Sequence, residues 1–128
     1  MKSRVRAAAP KKIIGYNIDD AKINGLTDSA KAVGAELLLI GREDAAQKVG
    51  YLVGFNGFER DNSSDFEMPD KECIIFSGFD NKSLDELLLK FDDNQFDTDL
   101  KCIVTPTNQR LPVYELIGHL WEEHLQMS

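Results

Sequence analysis

The sequence predicts an α/β protein: a small three-layer α/β/α domain with a four-stranded parallel sheet. Two observations carry this prediction. Short, uniformly apolar runs alternate four times with amphipathic segments, and strands that are apolar on both faces are typical of parallel sheets covered by helices. Because crossovers between parallel strands are right-handed, the strand order 2-1-3-4 is the simplest topology. We find no internal sequence repeat beyond this alternation.

The first half of the chain supplies two strands and two helices. Residues 11–17 and 35–40 are the predicted strands. Asp19 is suited to cap the helix between them, and Gly34 is suited to end it, since a helix often closes on a left-handed residue. A second helix is predicted over residues 44–53, weakened by an internal glycine.

The second half supplies two further strand–helix pairs. The third strand is predicted over residues 72–76 and the fourth over residues 100–104. Asp80 caps the third helix, and the last helix starts near Pro112, because proline is favoured in the first turn. Strands and helices therefore alternate from one end of the domain to the other.

Length and charge indicate one acidic domain with a basic arm. We expect residues 1–10 to form the arm and residues 11–128 a single domain with a long polar loop at about 55–71. The first 12 residues carry +5, whereas the remainder carries −12. Since an acidic surface repels polyanions, neither nucleic acid nor a membrane surface is an expected partner of the body.

The cysteines and the hydropathy indicate a cytoplasmic protein. Cys73 and Cys102 lie in apolar strand-like runs, which favours buried, reduced thiols, although a bond between neighbouring strands is the alternative. No apolar run approaches the roughly 20 residues that cross a bilayer, and none has the layout of a signal peptide.

The first strand–helix turn does not carry a nucleotide-binding motif. It lacks the glycines that let a pyrophosphate approach the backbone. Asp19 and Asp20, together with Thr105, are arranged as in phosphoacceptor receiver domains. Such domains need a carboxylate at the end of the central strand, where this chain has Ser77. Helix capping is therefore the preferred reading of the acidic pair, and a degenerate receiver the alternative.

Evidence for catalysis is weak. Ser77 lacks the glycines that flank a nucleophile elbow. Glu115, His119 and Glu123 share one face of the last helix and have the residue types that bind a divalent metal, but a solvated helix face has the same pattern. We expect no catalytic residue, no metal and no cofactor, and we leave enzymatic activity open, with the balance against it.

Polar turns follow three of the predicted strands. Carboxyl ends of parallel strands share one edge of a sheet, so these turns are expected to meet, with Asn17 facing Ser77. Their hydroxyl, amide and backbone N–H groups suit a small anion or another small molecule. The alternative is structural, since such side chains also hold turns together. The predicted ligand-binding residues are Asn17, Ser77, Gly78, Thr105, Thr107, Asn108 and Arg110.

The second half also resembles a known family. The stretches that carry the resemblance are Phe-Ser-Gly-Phe (76–79), Leu-Asp-Glu-Leu-Leu (84–88), Thr-Pro-Thr-Asn (105–108) and Glu-Glu-His (122–124). They are similar to the uncharacterised bacterial family called domain of unknown function 3783, mainly over residues 72–125. Because the family is bacterial, the resemblance implies a bacterial origin, and it supports the position of the turns. Since the family has no known activity, the resemblance implies no particular reaction or ligand.

The leading functional hypothesis is a non-enzymatic small-ligand-binding or regulatory module with its site at these turns. The alternative is a protein-interaction module, such as a homodimer, that acts through helix faces or the 55–71 loop. An uncharacterised enzyme is the third hypothesis, and it would need His119 or Arg110 to reach the turns.

Overall fold

The computed structural model describes residues 10–127, so most of the predicted N-terminal arm lies outside the described residues. Four strands alternate with four helices in this part of the chain, and none of these helices has the length and apolarity required to span a bilayer. The elements are β1 (Lys12–Tyr16), α1 (Asp20–Ala32), β2 (Glu36–Ile40), α2 (Val49–Leu52), β3 (Cys73–Ser77), α3 (Asn81–Asp93), β4 (Leu100–Ile103) and α4 (Val113–Met127). Short 3-10 helices precede α2 and α4, at Arg42–Asp44 and Asn108–Arg110.

The sheet has the predicted order but is mixed. The order 2-1-3-4 is confirmed, and β1–β2 and β3–β4 are parallel pairs. The central pair, β1–β3, is antiparallel, with Lys12 opposite Ser77 and Tyr16 opposite Cys73. The prediction of an entirely parallel sheet was therefore wrong.

The path of the 55–71 loop explains the direction of β3. After α2 the chain lies beside the start of β1, where the Lys12 ammonium donates to the Val53 carbonyl at 2.8 Å. The loop then returns to the end of β1, where the Tyr16 hydroxyl donates to the Pro69 carbonyl at 2.7 Å. Because β3 starts at the end of the sheet where β1 finishes, β3 runs antiparallel to β1. The composition of β3 does not encode this direction, since a strand buried on both faces is apolar whether it runs parallel or antiparallel to its neighbour.

The second predicted helix is much shorter than expected. Helix α2 spans only Val49–Leu52, and residues 42–44 form a separate 3-10 turn. The intervening Gln47 is buried, with 2% of its surface exposed, and its side chain binds the 55–71 loop instead of continuing a helix face. The prediction over residues 44–53 was therefore wrong in extent.

Side chains of the central strands alternate between two apolar cores. One core lies between the sheet and the α1–α3 layer, and the other between the sheet and the α2–α4 layer. The α1–α3 core contains Ile13, Leu26, Ala30, Ile74, Phe76, Leu87, Phe91 and Phe96. The α2–α4 core includes Ile14, Tyr16, Val49, Cys73, Ile75, Val113, Leu116 and Ile117. The three-layer arrangement follows from this alternation, because successive strand residues point to opposite faces.

The two halves of the domain repeat one another, although no internal repeat was predicted from the sequence. Each half consists of a parallel β-α-β unit followed by a 3-10 turn and a helix. Equivalent residues around the first helix of each unit are 61 positions apart. Left-handed turn residues Asn17 and Gly78, helix caps Asp19 and Asp80, and left-handed closing residues Gly34 and Gln95 are related in this way.

A pseudo-twofold axis relates the halves. The β1–β3 register is centred on Ile14 opposite Ile75, which are also 61 positions apart. On the α2–α4 side, Lys48 and Pro112 form an isolated antiparallel bridge. Its flanking hydrogen bonds run from Val49 N to Leu111 O and from Val113 N to Gln47 O, each 3.0 Å. The antiparallel centre of the sheet is the arrangement that such an axis requires.

Helices α1 and α3 approach closely at a glycine. A Cβ added at Gly25 would lie 2.7 Å from the backbone carbonyl oxygen of Asn94. Beside it, the buried Ser29 hydroxyl donates to the Lys90 carbonyl at 3.0 Å and accepts from the Asn94 amide at 3.0 Å. These contacts join the two halves on the face opposite the Lys48–Pro112 bridge.

We expect Gly25→Ala to destabilise the protein by about 1–3 kcal/mol, because the new methyl group meets a backbone atom that cannot move aside easily. Gly118→Ala is the matched control, since that position is also helical and, apart from its own helix, no atom of residues 10–127 lies within 4 Å of the added Cβ. It should stabilise by about 0.5–1 kcal/mol through helix propensity. Urea unfolding measures both, and equal effects would contradict the close approach.

Candidate functional site

The mixed sheet separates the predicted site residues. Asn17 follows Tyr16, which pairs with Cys73, whereas Ser77 pairs with Lys12 at the other end of the same two strands. The prediction that Asn17 faces Ser77 was therefore wrong. Asn17 lies in a left-handed turn with φ 55°, and its backbone N–H donates to the Ile40 carbonyl at 2.9 Å.

At the end of β1, where Asn17 lies, the Glu72 side chain accepts two hydrogen bonds. One carboxylate oxygen accepts the Asp19 N–H at 2.8 Å, and the other accepts the Lys22 ammonium at 2.7 Å. The hydrogen bond to Glu72 raises the pKa of Lys22 above its ordinary value. These groups tie the start of α1 to the start of β3, which is a structural role.

Ser77 and Gly78 lie at the opposite end of the central strands, beside the start of β1. Ser77 is buried, with 8% of its surface exposed. Gly78 has φ 82°, and a Cβ there would overlap the Pro10 carbonyl oxygen. Glycine is therefore required by the backbone conformation and by the close approach of Pro10.

The turn after β4 is held by its own polar side chains. The Asn108 carbonyl oxygen accepts the Thr105 N–H at 2.8 Å, and the Thr105 hydroxyl accepts the Asn108 N–H at 3.0 Å. The Asn108 amide also donates to the Ile103 carbonyl at 3.0 Å. No peptide bond between residues 10 and 127 is cis, so Thr105–Pro106 is trans. Thr105 and Asn108 therefore hold this turn together, which is the structural role considered for them.

The same turn closes one end of an apolar groove along β4, which we call the β4 groove. Its volume is about 740 Å³, and α3 and α4 form its walls. The apolar lining residues are Phe76, Leu84, Leu88, Cys102, Ile103, Leu111, Leu116 and Leu120, and the polar ones are Lys101, Thr105, Thr107, Asn108, His119 and Glu123. Three predicted site residues, Thr105, Thr107 and Asn108, therefore border one cavity.

Acidic and thiol groups define the electrostatics of the β4 groove. Burial, and secondarily the Glu123 carboxylate, raise the pKa of the Cys102 thiol to about 11. Lys101 is engaged elsewhere, since its ammonium donates to the Thr98 carbonyl. His119 and Glu123 are exposed on α4. Glu123 is thus the carboxylate that borders the groove.

The groove exists at one edge of the sheet because α4 is longer than its counterpart. Helix α4 spans 15 residues, whereas α2 spans four. Around the Lys48–Pro112 bridge, equivalent residues are 64 positions apart, and Gly54 and Gly118 are related in this way. Gly54 has φ 83° and follows the end of α2, while α4 continues through Gly118 to Met127. The additional turns of α4 carry Leu120 and Glu123 over the edge strand.

Arg110 does not border the β4 groove. It lines a second pocket together with Lys48 and residues of the 55–71 loop. The structure therefore divides the seven predicted residues among four places, namely the Asn17 turn, the Ser77–Gly78 turn, the β4 groove and the second pocket. Of the seven, Thr105, Thr107 and Asn108 border the same cavity. Whether any of them binds a ligand stays a prediction.

The apolar walls of the groove were not among the residues predicted to bind a ligand. Ile103 is 42% exposed in an edge strand, and an apolar residue there is a signal that the strand pattern already contained. His119 and Glu123 were considered as metal ligands together with Glu115, which does not border the groove. In the described part of the chain, no three His, Cys, Asp or Glu side chains converge to hold a metal ion.

Comparison with known proteins locates the groove within one family segment. The family model described as Domain of unknown function (DUF3783) matches residues 72–127. This segment is a DUF3783 match. The predicted resemblance over residues 72–125 is thereby confirmed, and every residue that lines the β4 groove lies in the DUF3783 segment. No curated protein and no solved structure matches the chain.

We expect Asn108→Ala to lower the free energy of unfolding by about 1–2 kcal/mol, because it removes the two hydrogen bonds that the Asn108 side chain makes in the turn, each of modest net value. Thr107→Ala is the control, since no hydrogen bond of the Thr107 side chain is found among residues 10–127. It should change stability by less than about 0.5 kcal/mol. Chemical denaturation compares the two, and a neutral Asn108 variant would show that the turn is held by other contacts.

We expect Cys102 to react slowly with iodoacetamide near neutral pH. With its pKa raised to about 11, the thiolate at pH 8 is roughly 100-fold scarcer than for an ordinary cysteine, and the rate should rise up to about pH 11. Mass spectrometry of the wild type and of Cys102→Ser assigns the modified thiol. Alkylation at pH 8 at the rate of a free thiol would contradict the buried environment.

Proposed function

We propose that this protein is a non-enzymatic binding module that holds a small amphipathic molecule in the β4 groove. The observation that carries the proposal is the coincidence of three features in the DUF3783 segment: an apolar cavity, an open edge strand and a polar turn at one end. Ligand sites are commonly apolar clefts with a few placed polar groups.

The size and lining of the β4 groove suit an aliphatic or aromatic body. Its volume of about 740 Å³ lies within the usual range of ligand pockets. Ile103 forms part of the floor at 42% exposure, and Leu88 and Leu120 are only half-buried. Covering these side chains would remove apolar surface from water, which is the main favourable contribution to binding.

The charge at the groove favours a hydrogen-bond-donating or cationic head group. Glu123 borders the groove and acts electrostatically on Cys102. The ammonium of Lys101 is already engaged by a backbone carbonyl. Within residues 10–127, no cation lies at ion-pair distance from Glu123. An anionic head would therefore be repelled by this carboxylate, whereas an amine or hydroxyl group would find an acceptor.

Two observations support binding without catalysis. The polar atoms of Thr105 and Asn108 are engaged by each other and by the backbone. The Cys102 thiol is held protonated by its raised pKa, so it is a poor nucleophile at neutral pH. His119 remains the group in the groove that an enzymatic alternative would have to employ.

Decylamine tests the proposal, with decanoate as the anionic molecule of equal chain length. In isothermal titration calorimetry below the micellar concentration, we expect decylamine to bind with one-to-one stoichiometry and to slow Cys102 alkylation. Glu123→Gln should weaken its binding at least about fivefold, since it removes the charge that faces the head group. Glu122→Gln is the matched control, an exposed neighbour outside the groove lining.

Three outcomes would contradict this proposal. One is the absence of saturable binding for either molecule. Another is decanoate binding as tightly as decylamine. The third is equal weakening by the Glu122 and Glu123 variants, which would indicate attraction to the acidic surface as a whole.

The protein-interaction hypothesis draws support from the same edge of the sheet. Within residues 10–127, strand β4 leaves one side of its backbone unpaired, and its Ile103 side chain is 42% exposed. An edge strand with apolar neighbours can pair with another chain. Sedimentation of the calorimetry samples separates the two functions, because a dimer that hides Cys102 without ligand would favour interaction over small-molecule binding.

A further inference from the structure

A second pocket, which we call the basic pocket, lies on the α2 side of the molecule. Its volume is about 800 Å³, and it opens between the start of the 55–71 loop and the residues around the Lys48–Pro112 bridge. Three cationic side chains line it, Lys48, Arg60 and Arg110, with two carboxylates, Glu59 and Asp61, and the ring of Phe58.

The loop wall of the basic pocket is anchored at two points. The Gln47 side chain, 2% exposed, donates to the Asp61 carbonyl at 2.8 Å and accepts the Asp61 N–H at 2.9 Å. Phe58 packs directly on Gly50, where a Cβ would lie 2.5 Å from the ring. Arg60 lies between these anchors, so its backbone is fixed before any ligand arrives.

The opposite wall is fixed by the bridge between the two halves of the domain. Lys48 pairs with Pro112, and the adjacent Val49 N–H donates to the Leu111 carbonyl at 3.0 Å. Arg110 immediately precedes Leu111, at the end of the Asn108–Arg110 turn. The pseudo-twofold contact therefore holds Lys48 and Arg110, which are far apart in sequence, beside the same cavity.

The cations of the basic pocket have few acidic partners. Within residues 10–127, neither Lys48 nor Arg110 has a carboxylate at ion-pair distance, and Arg60 lies 4.0 Å from Asp44. Asp61 is engaged by Ser63, whose N–H donates to it at 2.8 Å. Hydrogen bonds from Ser63, and more weakly the charge of Lys48, hold the pKa of Asp61 below its usual range.

The charge of the basic pocket contrasts with that of the rest of the molecule. Its lining sums to +1, whereas residues 10–127 together carry −10. A long polyanion would be repelled by the surrounding surface, while a compact anion experiences mainly the local field. Arginine and lysine together provide directional and point-charge contacts to phosphate oxygens.

We propose that the basic pocket binds a small phosphorylated ligand, whose phosphate oxygens contact Lys48, Arg60 and Arg110. The half-buried ring of Phe58 offers a flat apolar surface to the remainder of the ligand. This site is separate from the β4 groove, with which it shares no lining residue. It stands or falls independently of the function proposed above.

Pyrophosphate and ADP are the probes for this site. In calorimetry at low ionic strength, we expect both to bind one-to-one, with ADP the tighter because its base can stack on Phe58. Arg110→Glu and Lys48→Glu should each weaken pyrophosphate binding by about tenfold or more, since each removes one cationic contact and adds a repulsive charge. Phe58→Leu should reduce the advantage of ADP over pyrophosphate.

Lys31→Glu is the matched control, because Lys31 is exposed on α1 and lies outside the pocket. It should change the affinity for pyrophosphate less than about twofold. Thermal midpoints of all variants establish that they are folded, and Arg110→Gln provides a milder substitution if Arg110→Glu is unstable. The proposal is overturned if neither probe binds at millimolar concentration, or if the Lys31 variant weakens binding as much as the pocket variants.

Discussion

The antiparallel pairing of β1 with β3 is the contact on which the rest of the structure depends. It joins two β-α-β units, each built on one parallel strand pair, and it centres the pseudo-twofold axis between Ile14 and Ile75. Both strands are buried on both faces, so the pairing contributes to both cores at once. The contact of α1 with α3 and the Lys48–Pro112 bridge follow from it, because the axis brings equivalent elements of the two halves together on each face of the sheet.

The two halves share a scaffold and have diverged at its outer parts. Helix α2 ends after one turn at the position where α4 continues, so one outer strand is bordered by a groove and the other is bordered mainly by solvent. In the first half, the length that α4 occupies is replaced by the 55–71 loop, which Gln47 and Tyr16 anchor to the core. The groove therefore belongs to the second half, whereas the basic pocket requires residues from both halves.

Local features of the fold could be predicted from the sequence, and long-range direction could not. Helix caps such as Asp19 and Asp80 were predictable because their hydrogen bonds involve neighbours two or three residues away. The direction of β3 depends on the return path of a polar loop, for which the sequence has no periodic signal. The error in direction separated Asn17 from Ser77, while the turn of Thr105 and Asn108 follows β4 as expected, because its position is defined by its own strand. That these residues bind a ligand stays a prediction. The repeat was missed because identical pairs such as Asp19 and Asp80 are few, while other equivalent positions, such as Asn17 and Gly78, share a backbone conformation rather than a side chain.

The antiparallel centre of the sheet also determines how the helix dipoles combine. Helix α1 follows β1 and α3 follows β3. Because these strands are antiparallel, the amino termini of the two helices lie at opposite ends of the strands. In a fully parallel domain all such termini collect at one edge, where their partial positive charges, each about half a unit, add to attract anions. Here the two macrodipoles oppose one another, and neither edge gains a concentrated positive potential from the backbone. Attraction of an anion to this fold therefore depends on cationic side chains, in a protein whose described residues carry a net charge of −10.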